Sequence, residues 1–321
     1  MPEETLAKTR APFSPTQPAP ETSLVLKVDI DTKVGFTEGV RRLLELFSPL
    51  GIKASFFIAM GPDHSGRALK RILRPGFLAK QLHSGAASAY GPLTMLYGLL
   101  LPGPIIAQQA PGLINRCLNQ GHEVGLHGWD HVFWHDRLRS LEKERVRLEL
   151  GRAWRLYRRL TGLAPAAFAA PGWQITGPAL EALVEMGTTH ASCTRGRRPF
   201  RPRVGGRTLP LLELPTTLPT FDEALCLAGI NPGNLAAYLA ECLRPGEINV
   251  FTMHGEVEGR ALMGVFHDFC RILLGRGVRF LRLVDAARRV LAAGPVPARE
   301  LGWIEVPGRA YQVAAPRGEE P

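Results

Sequence analysis

Five ionisable residues in three separate segments have the types and spacing of a metal-hydrolase site. Asp29 and Asp31 end the segment LVLKVDIDT, His127 and His131 follow an apolar run in GHEVGLHGWDH, and His254 ends another in VFTMHGEVEG. Aspartate and histidine bind divalent transition metals, and both carry protons in hydrolytic reactions. Their positions after apolar runs predict one shared site at the ends of strands.

The two aspartates are separated by one residue. If the strand continues through Ile30, both side chains point the same way because side chains alternate along a strand. Two carboxylates this close do not both stay ionised unless a cation lies beside them. A metal resolves that conflict, with one aspartate as its ligand and the other as a base. The alternative is a pair of aspartates that cap a turn.

The histidines supply the other candidate ligands. His127 and His131 are four residues apart, so on a helical turn they share a face and can bind one metal. Asp130 and His135 are candidates for groups that orient these ligands, or they are surface and helix-start residues. His254 ends a strand at the edge where parallel α/β folds assemble their sites, and is either a third protein ligand or a general acid.

The segments that must position these residues alternate between the apolar spacing of strands and that of helices. Strands are predicted at 24–30, 54–59, 122–126, 166–170, 189–193, 211–214, 248–252 and 279–283, and helices at 37–49, 108–120, 140–160, 178–186, 233–243, 260–275 and 284–293. Thr37 is a candidate N-cap of the first helix, and Gly51 is its stop signal. About seven strand–helix units predict a parallel, barrel-like α/β fold. No GxGxxG or P-loop motif follows the first strand.

Composition narrows the class of protein. The chain has 321 residues, and its 39 Lys and Arg against 29 Asp and Glu give a net charge of +10. This excess indicates a polyanionic partner or an anionic membrane surface, unless it reflects only an arginine-rich composition. Five cysteines without a CxxC pair favour a reducing compartment. No apolar run reaches the roughly 18–20 residues of a membrane-spanning helix.

The chain divides into a central domain with two distinct ends. Residues 1–22 are predicted to be a disordered, proline-rich leader without the apolar core of a signal peptide, 23–295 the catalytic domain, and 296–321 a C-terminal tail that is loosely attached from 303. Residues 64–106 form a longer insertion than a barrel loop needs, and they mix basic with apolar residues. An amphipathic helical insertion is predicted there, either as an interfacial membrane anchor or as a cap packed on the barrel.

Together these motifs resemble the polysaccharide deacetylase (NodB-homology) superfamily. The Asp-x-Asp, His-x-x-x-His and strand-end histidine motifs carry this resemblance, which covers roughly residues 24–290. The segments ASFFIAMGPDHSGR, GFLAKQLHSGAASAYG, RGRRPFRP and ELPTTLPTFDEAL are similar to the branch of 4-deoxy-4-formamido-L-arabinose-phosphoundecaprenol deformylases. The resemblance implies a distorted (β/α)7 barrel.

The resemblance also implies a role for each of the five residues. Asp31, His127 and His131 would hold a divalent metal ion, for which zinc, cobalt and manganese are all suitable. Asp29 would be the general base and His254 the general acid.

Further contacts are implied around the oxyanion and the substrate. A backbone N–H in the turn formed by Pro171, Gly172 and Trp173 would hold the oxyanion together with the metal. Arg195 would contact phosphate or the sugar, unless it is a solvated surface arginine.

Two positions depart from the wider superfamily. Ala169 stands where an arginine that orients the base is common, and the deformylase branch lacks this arginine as well. Cys193 stands where an acidic residue is expected. If that acid sets the pKa of His254 in the branch, another group must do so in this chain.

The implied reaction is removal of the N-formyl group from undecaprenyl-phosphate 4-deoxy-4-formamido-L-arabinose, with release of formate, in the lipid A aminoarabinose modification that gives polymyxin resistance. The implied partners are this lipid-linked sugar and the cytoplasmic face of the inner membrane, with peripheral attachment and no nucleic acid. The alternatives are an N-deacetylase of another N-acyl sugar or amide, a non-catalytic lipid- or sugar-binding relative, and a nucleic-acid binder that uses the basic surface.

Overall fold

The centre of the protein is a barrel of parallel strands. The structure is a computed structural model that describes residues 21–71, 91 and 93–319. Within these residues the barrel strands are β1 (Ser23–Ile30), β2 (Ser55–Ile58), β3 (Glu123–Leu126), β4 (Ala167–Ala169), β5 (His190–Ser192), β8 (Leu212–Glu213), β9 (Ile248–His254) and β10 (Arg279–Leu281). All pairings among them are parallel, which confirms the predicted α/β barrel.

The order of the strands closes the sheet on itself. From β8 the order runs through β5, β4, β3 and β2 to β1, and β9 pairs along the whole length of β1. β10 pairs with the first residues of β1, on the edge that β2 uses further along. After β8, the Thr217 N–H donates to the Val250 carbonyl at 3.0 Å, which brings this end of the sheet against β9.

Helices connect the strands and cover the barrel, and the last of them packs on residues that point into it. They are α1 (Val40–Leu50), α2 (Leu113–Asn119), α3 (His131–Arg137), α4 (Lys143–Thr161), α5 (Gly177–Glu185), α6 (Phe221–Ala224), α7 (Leu235–Glu241), α8 (Met263–Gly275) and α9 (Leu283–Ala293). In α4, buried Val146, Leu150 and Ala153 recur at the spacing of an amphipathic helix, and they pack into the main hydrophobic core.

The first helix shows one correct and one wrong prediction. Gly51 ends α1 with a φ of 64°, as its stop signal predicts. Thr37 is not an N-cap, because it lies inside the π-helical turn Gly35–Gly39 that runs directly into α1. Its hydroxyl donates to the Lys33 carbonyl at 3.0 Å, one turn earlier.

The C-terminal segment forms a second, small sheet. β11 (Ala298–Ile304) pairs antiparallel with β12 (Val313–Pro316) and parallel with β6 (Arg201–Val204), which in turn pairs with β7 (Arg207–Thr208). Val313, Ala314 and Ala315 are fully buried. The loose attachment predicted from residue 303 is therefore wrong up to residue 319. These strands lack the strong apolar alternation that would have revealed them in the sequence.

Some predictions fall outside the described residues. The predicted leader lies there up to residue 20, as do residues 72–90 and 92 of the predicted helical insertion. The described flanks of the insertion contain short 3₁₀ turns at Ser65–Arg71, Thr94–Leu96 and Ile106–Gln108. In the part of the chain that the structure describes, every helix is too short or too polar to cross a bilayer.

Candidate active site

The C-terminal ends of β1, β3 and β9 bring the five ionisable residues together. Asp29 pairs in register with His254 across β1 and β9, and Asp31 follows β1 directly. His127 follows the last residue of β3, and His131 is the first residue of α3. The predicted assembly of these residues at strand ends is found, because parallel strands place their carboxyl ends at one rim.

Asp31, His127 and His131 form a compact cluster. Asp31 Oδ1 lies 3.2 Å from His127 Nε2, and Asp31 Oδ2 lies 3.3 Å from His131 Nε2. One ligand atom from each residue lies within 4.8 Å of the others. The two histidines do not share a helical turn, which corrects the prediction from their spacing. Gly128, with a φ of 81°, instead turns the chain from the strand end to the helix start.

The hydrogen-bonding state of the cluster fits a cation. His127 Nδ1 donates to the Ala169 carbonyl at 2.9 Å, so in the neutral ring Nε2 carries a lone pair. That lone pair faces Asp31 Oδ1, a buried atom with no hydrogen-bond donor among the described residues. Burial alone would raise the pKa of Asp31, but the charge of the adjacent His131 is the largest of the effects that lower it. A bound cation would accept the lone pairs of His127 Nε2 and Asp31 Oδ1, which otherwise face each other, and would offset the charge of the carboxylate.

Asp29 is held by a lysine that the sequence reasoning missed. Lys27 is fully buried, and its ammonium donates to Asp29 Oδ2 at 2.7 Å and to Thr252 Oγ1 at 3.3 Å. Asp29 Oδ1 is buried, finds no hydrogen-bond partner in the described chain, and lies 3.9 Å from His127 Nδ1. A signal was present, because Lys27, Asp29 and Asp31 alternate on one face of an apolar strand, where lysine is rare.

His254 lies among carboxyl groups. Its backbone N–H donates to Glu258 Oε2 at 2.7 Å, and burial raises the pKa of Glu258 to about 8. Burial also acts to raise the pKa of Asp222, but the charges of Arg309 and then His254 lower it below its ordinary value. Asp222 is therefore an ionised group on which the charge of His254 acts.

The surroundings of Cys193 are those of a buried thiol and not those of an acid that sets the pKa of another group. The residue is fully buried, and its N–H donates to Glu213 Oε1 at 2.6 Å. Burial raises the pKa of its thiol well above the ordinary value. The carboxylate whose pKa responds to the charge of His254 is Asp222, in the segment TFDEA, which sequence reasoning quoted without assigning a role to it.

Trp173 forms a buried wall of the site. Its φ of 52° is rare for a residue with a side chain, and its indole Nε1 donates to Thr216 Oγ1 at 2.9 Å. Lys27, Arg195 and Arg309 surround the ring, with cation-to-centroid distances of 5.3, 5.1 and 4.6 Å. Three cations around one indole, each of them paired with a carboxylate, indicate that the ring is held rigidly.

Arg195 is neither a surface arginine nor an unpaired one. Only 6% of the residue is exposed, and its Nη1 donates to both carboxylate oxygens of Glu223 at 3.1 and 2.8 Å. The surface alternative is wrong. Because Glu223 already offsets its charge, any contact with phosphate would compete with this ion pair.

The predicted oxyanion turn, Pro171–Trp173, forms a 3₁₀ turn after β4. Pro171 has no N–H, and the Trp173 N–H donates to the Ala170 carbonyl at 3.1 Å. Gly172 is thus the remaining amide donor of this turn. It has a φ of 56°, and a Cβ on it would lie 2.3 Å from the His135 ring, so only glycine fits.

The C-terminal segment completes the site. Arg309 donates from Nε to Glu223 Oε1 at 2.6 Å and lies 3.5 Å from Asp222 Oδ2. Tyr311 packs edge-on against His135, with ring centroids 4.3 Å apart, and His135 stacks on His131. Sequence reasoning missed both residues because it treated this segment as a tail.

Known proteins are similar to this chain in sequence and in fold. The polysaccharide deacetylase family profile matches residues 16–191. The chain is 35% identical over 288 residues to the probable 4-deoxy-4-formamido-L-arabinose-phosphoundecaprenol deformylase ArnD of Shewanella sediminis, covering 90% of this chain and 92% of that relative. It is 28% identical over 286 residues to the protein of the same name from Wigglesworthia glossinidia brevipalpis, covering 87% and 98%.

A solved structure supports the fold. The putative polysaccharide deacetylase from Mycobacterium smegmatis superposes with a TM-score of 0.62 at 19% identity, covering 92% of this chain and 99% of that one. The family resemblance and the barrel expected from the sequence are both confirmed. The chain belongs to the polysaccharide deacetylase family and is a hydrolase of linear amide bonds.

Proposed function

We propose that this protein is a metal-dependent deformylase that acts on undecaprenyl-phosphate 4-deoxy-4-formamido-L-arabinose. The observation that carries the chemistry is the cluster of Asp31, His127 and His131, which could hold a metal ion, beside Asp29 Oδ1, which has no hydrogen-bond partner among the described residues. The name of the Shewanella relative, 35% identical over 90% of the chain, supports the substrate. A place in lipid A aminoarabinose modification and polymyxin resistance belongs to the same proposal.

The proposed reaction separates proton removal from proton delivery. A divalent cation in the cluster would supply Lewis acidity, which polarises the formamide carbonyl and makes a water molecule more acidic. Asp29 Oδ1 accepts the proton from the attacking water, because Oδ2 is already hydrogen-bonded to Lys27. The Gly172 N–H is the candidate donor to the developing oxyanion.

His254 acts on the other side of the amide bond. It donates a proton to the 4-amino nitrogen, so the sugar leaves as a neutral amine and formate is released. Against the effect of burial, the charges of Arg309 and His254 lower the pKa of Asp222, so an ionised carboxylate lies near this acid. Arg195 and the wall around Trp173 lie next to this machinery and are proposed to contact the sugar or its phosphate.

The test is mass spectrometry of undecaprenyl-phosphate formamido-arabinose incubated with the purified protein. We expect loss of the formyl group and stoichiometric release of formate with zinc, cobalt or manganese, and none with a chelator. No formyl loss with any of these metals would contradict the proposal. Faster turnover of the N-acetyl analogue than of the formyl substrate would support the alternative, an N-deacetylase.

We also propose that the protein attaches peripherally to the cytoplasmic face of the inner membrane. Residues 93–101 expose a cluster of leucines, of which Leu99 is 42% and Leu100 is 80% exposed. This cluster contacts the site indirectly, because Gly98 packs on His64 and His64 Nδ1 lies 2.6 Å from the Asp130 carboxylate that caps α3. An apolar surface on a protein of net charge +10 fits an anionic bilayer.

Vesicle sedimentation tests this attachment. Replacing Leu99 and Leu100 by serine should weaken binding to phosphatidylglycerol vesicles by at least about tenfold, because each buried leucine contributes about 1.5–3 kcal/mol. Leu163→Ser, at another surface position that is 52% exposed, is the matched control and should bind like the parent. Equal binding by all three proteins would exclude this cluster as the membrane contact.

A further inference from the structure

Lys27 is a buried cation inside the central strand of the barrel. None of its surface is exposed, although lysine is almost never fully buried without a partner. Its ammonium contacts Asp29 Oδ2 at 2.7 Å and Thr252 Oγ1 at 3.3 Å, and lies 5.3 Å from the centre of the Trp173 ring. Because this ammonium group contacts the proposed base, we expect it to have a role in the reaction.

We propose that Lys27 is a positioning residue for the hydrolysis: it holds Asp29 so that Oδ1 alone faces the reacting atoms, and it keeps this carboxylate from becoming a fourth protein group on the cation. The proposal rests on the proposed function, because it takes Asp29 as the base. Lys27 acts through Asp29 and need not touch the substrate.

The two oxygens of Asp29 have different environments. Oδ2 accepts the hydrogen bond from Lys27, whereas Oδ1 is buried and unpaired within the described residues. Asp29 and Asp31 both approach the same ring, since Asp29 Oδ1 lies 3.9 Å from His127 Nδ1 and Asp31 Oδ1 lies 3.2 Å from His127 Nε2. A carboxylate that could rotate this close to the cluster would compete for the cation. The hydrogen bond from Lys27 fixes its orientation.

A chain of hydrogen bonds fixes Lys27 in turn. Thr252 Oγ1, which accepts from Lys27, lies 2.7 Å from Thr216 Oγ1, and Thr216 Oγ1 accepts from the indole of Trp173 at 2.9 Å. These groups come from β9, from the segment after β8 and from the turn after β4. Three separate elements therefore hold one ammonium group, which is the support that a preorganised base requires.

Lys27→Met and Lys27→Arg test the proposal, with kcat, KM and calorimetric metal binding as readouts. We expect Lys27→Met to lower kcat by at least about a hundredfold, with KM little changed. Its metal affinity should stay the same or rise, because Asp29 becomes able to reach the cation. Lys27→Arg, which keeps a charged donor, should recover kcat to within about tenfold of the parent.

The outcomes separate positioning from a purely structural ion pair. A kcat for Lys27→Met within threefold of the parent, or equal kcat values for the Met and Arg variants, would overturn the proposal. If Lys27→Met does not fold, Thr252→Val decides, because it removes a contact to Lys27 without changing a charge. It should lower kcat severalfold with KM and metal affinity unchanged, and a parental kcat would overturn the proposal.

Assays with two substrates distinguish a failure of this proposal from a failure of the proposed function. The kinetic comparison uses the lipid-linked formamide and, in parallel, p-nitrophenyl formate, an activated formyl ester whose spontaneous hydrolysis is subtracted and whose carbonyl is attacked by the same water. Turnover of the ester without the lipid substrate would refute the assigned substrate and still measure the effect of Lys27. Turnover of both with no effect of Lys27→Met would refute only the role of Lys27.

Discussion

Asp29→Asn is expected to lower kcat by a factor of about 10²–10⁴ while the protein still binds its cation. Asparagine has the shape of aspartate and can still accept the hydrogen bond from Lys27, which is 2.7 Å away in the parent. It lacks the basic oxygen that Oδ1 presents to the site. The cluster of Asp31, His127 and His131 is untouched, so metal content measured by mass spectrometry should equal that of the parent.

The same substitution also affects stability. It leaves the fully buried ammonium of Lys27 without its counter-charge, and removing one member of a buried ion pair costs about 3–5 kcal/mol. Urea unfolding should therefore show a lower free energy of unfolding for Asp29→Asn. Asp268→Asn, at a position on α8 whose side chain is 68% exposed, is the matched control and should match the parent in both assays. An Asp29→Asn protein with kcat within tenfold of the parent would show that another group is the base.

The parts of the site that follow strand ends were predictable from the sequence. Asp29, His127 and His254 each lie at or just after the carboxyl end of an apolar run, and parallel strands bring those ends to one rim whatever the loops do. The position of His131 was predictable only in part. Its distance of four residues from His127 was informative, but the conformation between them depends on Gly128, whose positive φ places the second histidine at a helix start instead of on a shared turn.

The groups that act on these residues were not predictable in the same way. Arg309 and Asp222 meet at 3.5 Å although they are far apart in the chain, and no local pattern around either residue indicates the other. Their contact depends on the pairing of β11 with β6 and of β12 with β11, and strands this weakly patterned are fixed by tertiary contacts and not by local preference. Lys27 is the intermediate case. Its position on the strand face was readable, but only the fold shows that its partner is Asp29 and not solvent.

Asp31→Asn is expected to affect the metal-free and metal-loaded proteins in opposite directions. In the parent, Asp31 Oδ1 and His127 Nε2 are two acceptors 3.2 Å apart when the ring is neutral, an unfavourable contact without a cation. The amide of asparagine would donate to His127 Nε2 and its carbonyl would face His131. The metal-free variant should therefore be at least as stable as the metal-free parent. Its kcat should fall by at least about a hundredfold, because the cation that polarises the carbonyl is lost.

Thermal unfolding with and without added zinc, cobalt or manganese measures this contrast. The parent should gain about 2.7 kcal/mol when free metal exceeds Kd by about a hundredfold, since only the folded protein binds it. Asp31→Asn should gain far less, and His267→Ala, at a position on α8 whose side chain is 40% exposed, should gain as much as the parent. The opposite result, a destabilised metal-free variant and a parent that no metal stabilises, would mean that the cluster is an imidazolium–carboxylate ion pair. The hydrolysis would then need another source for the polarisation of the carbonyl.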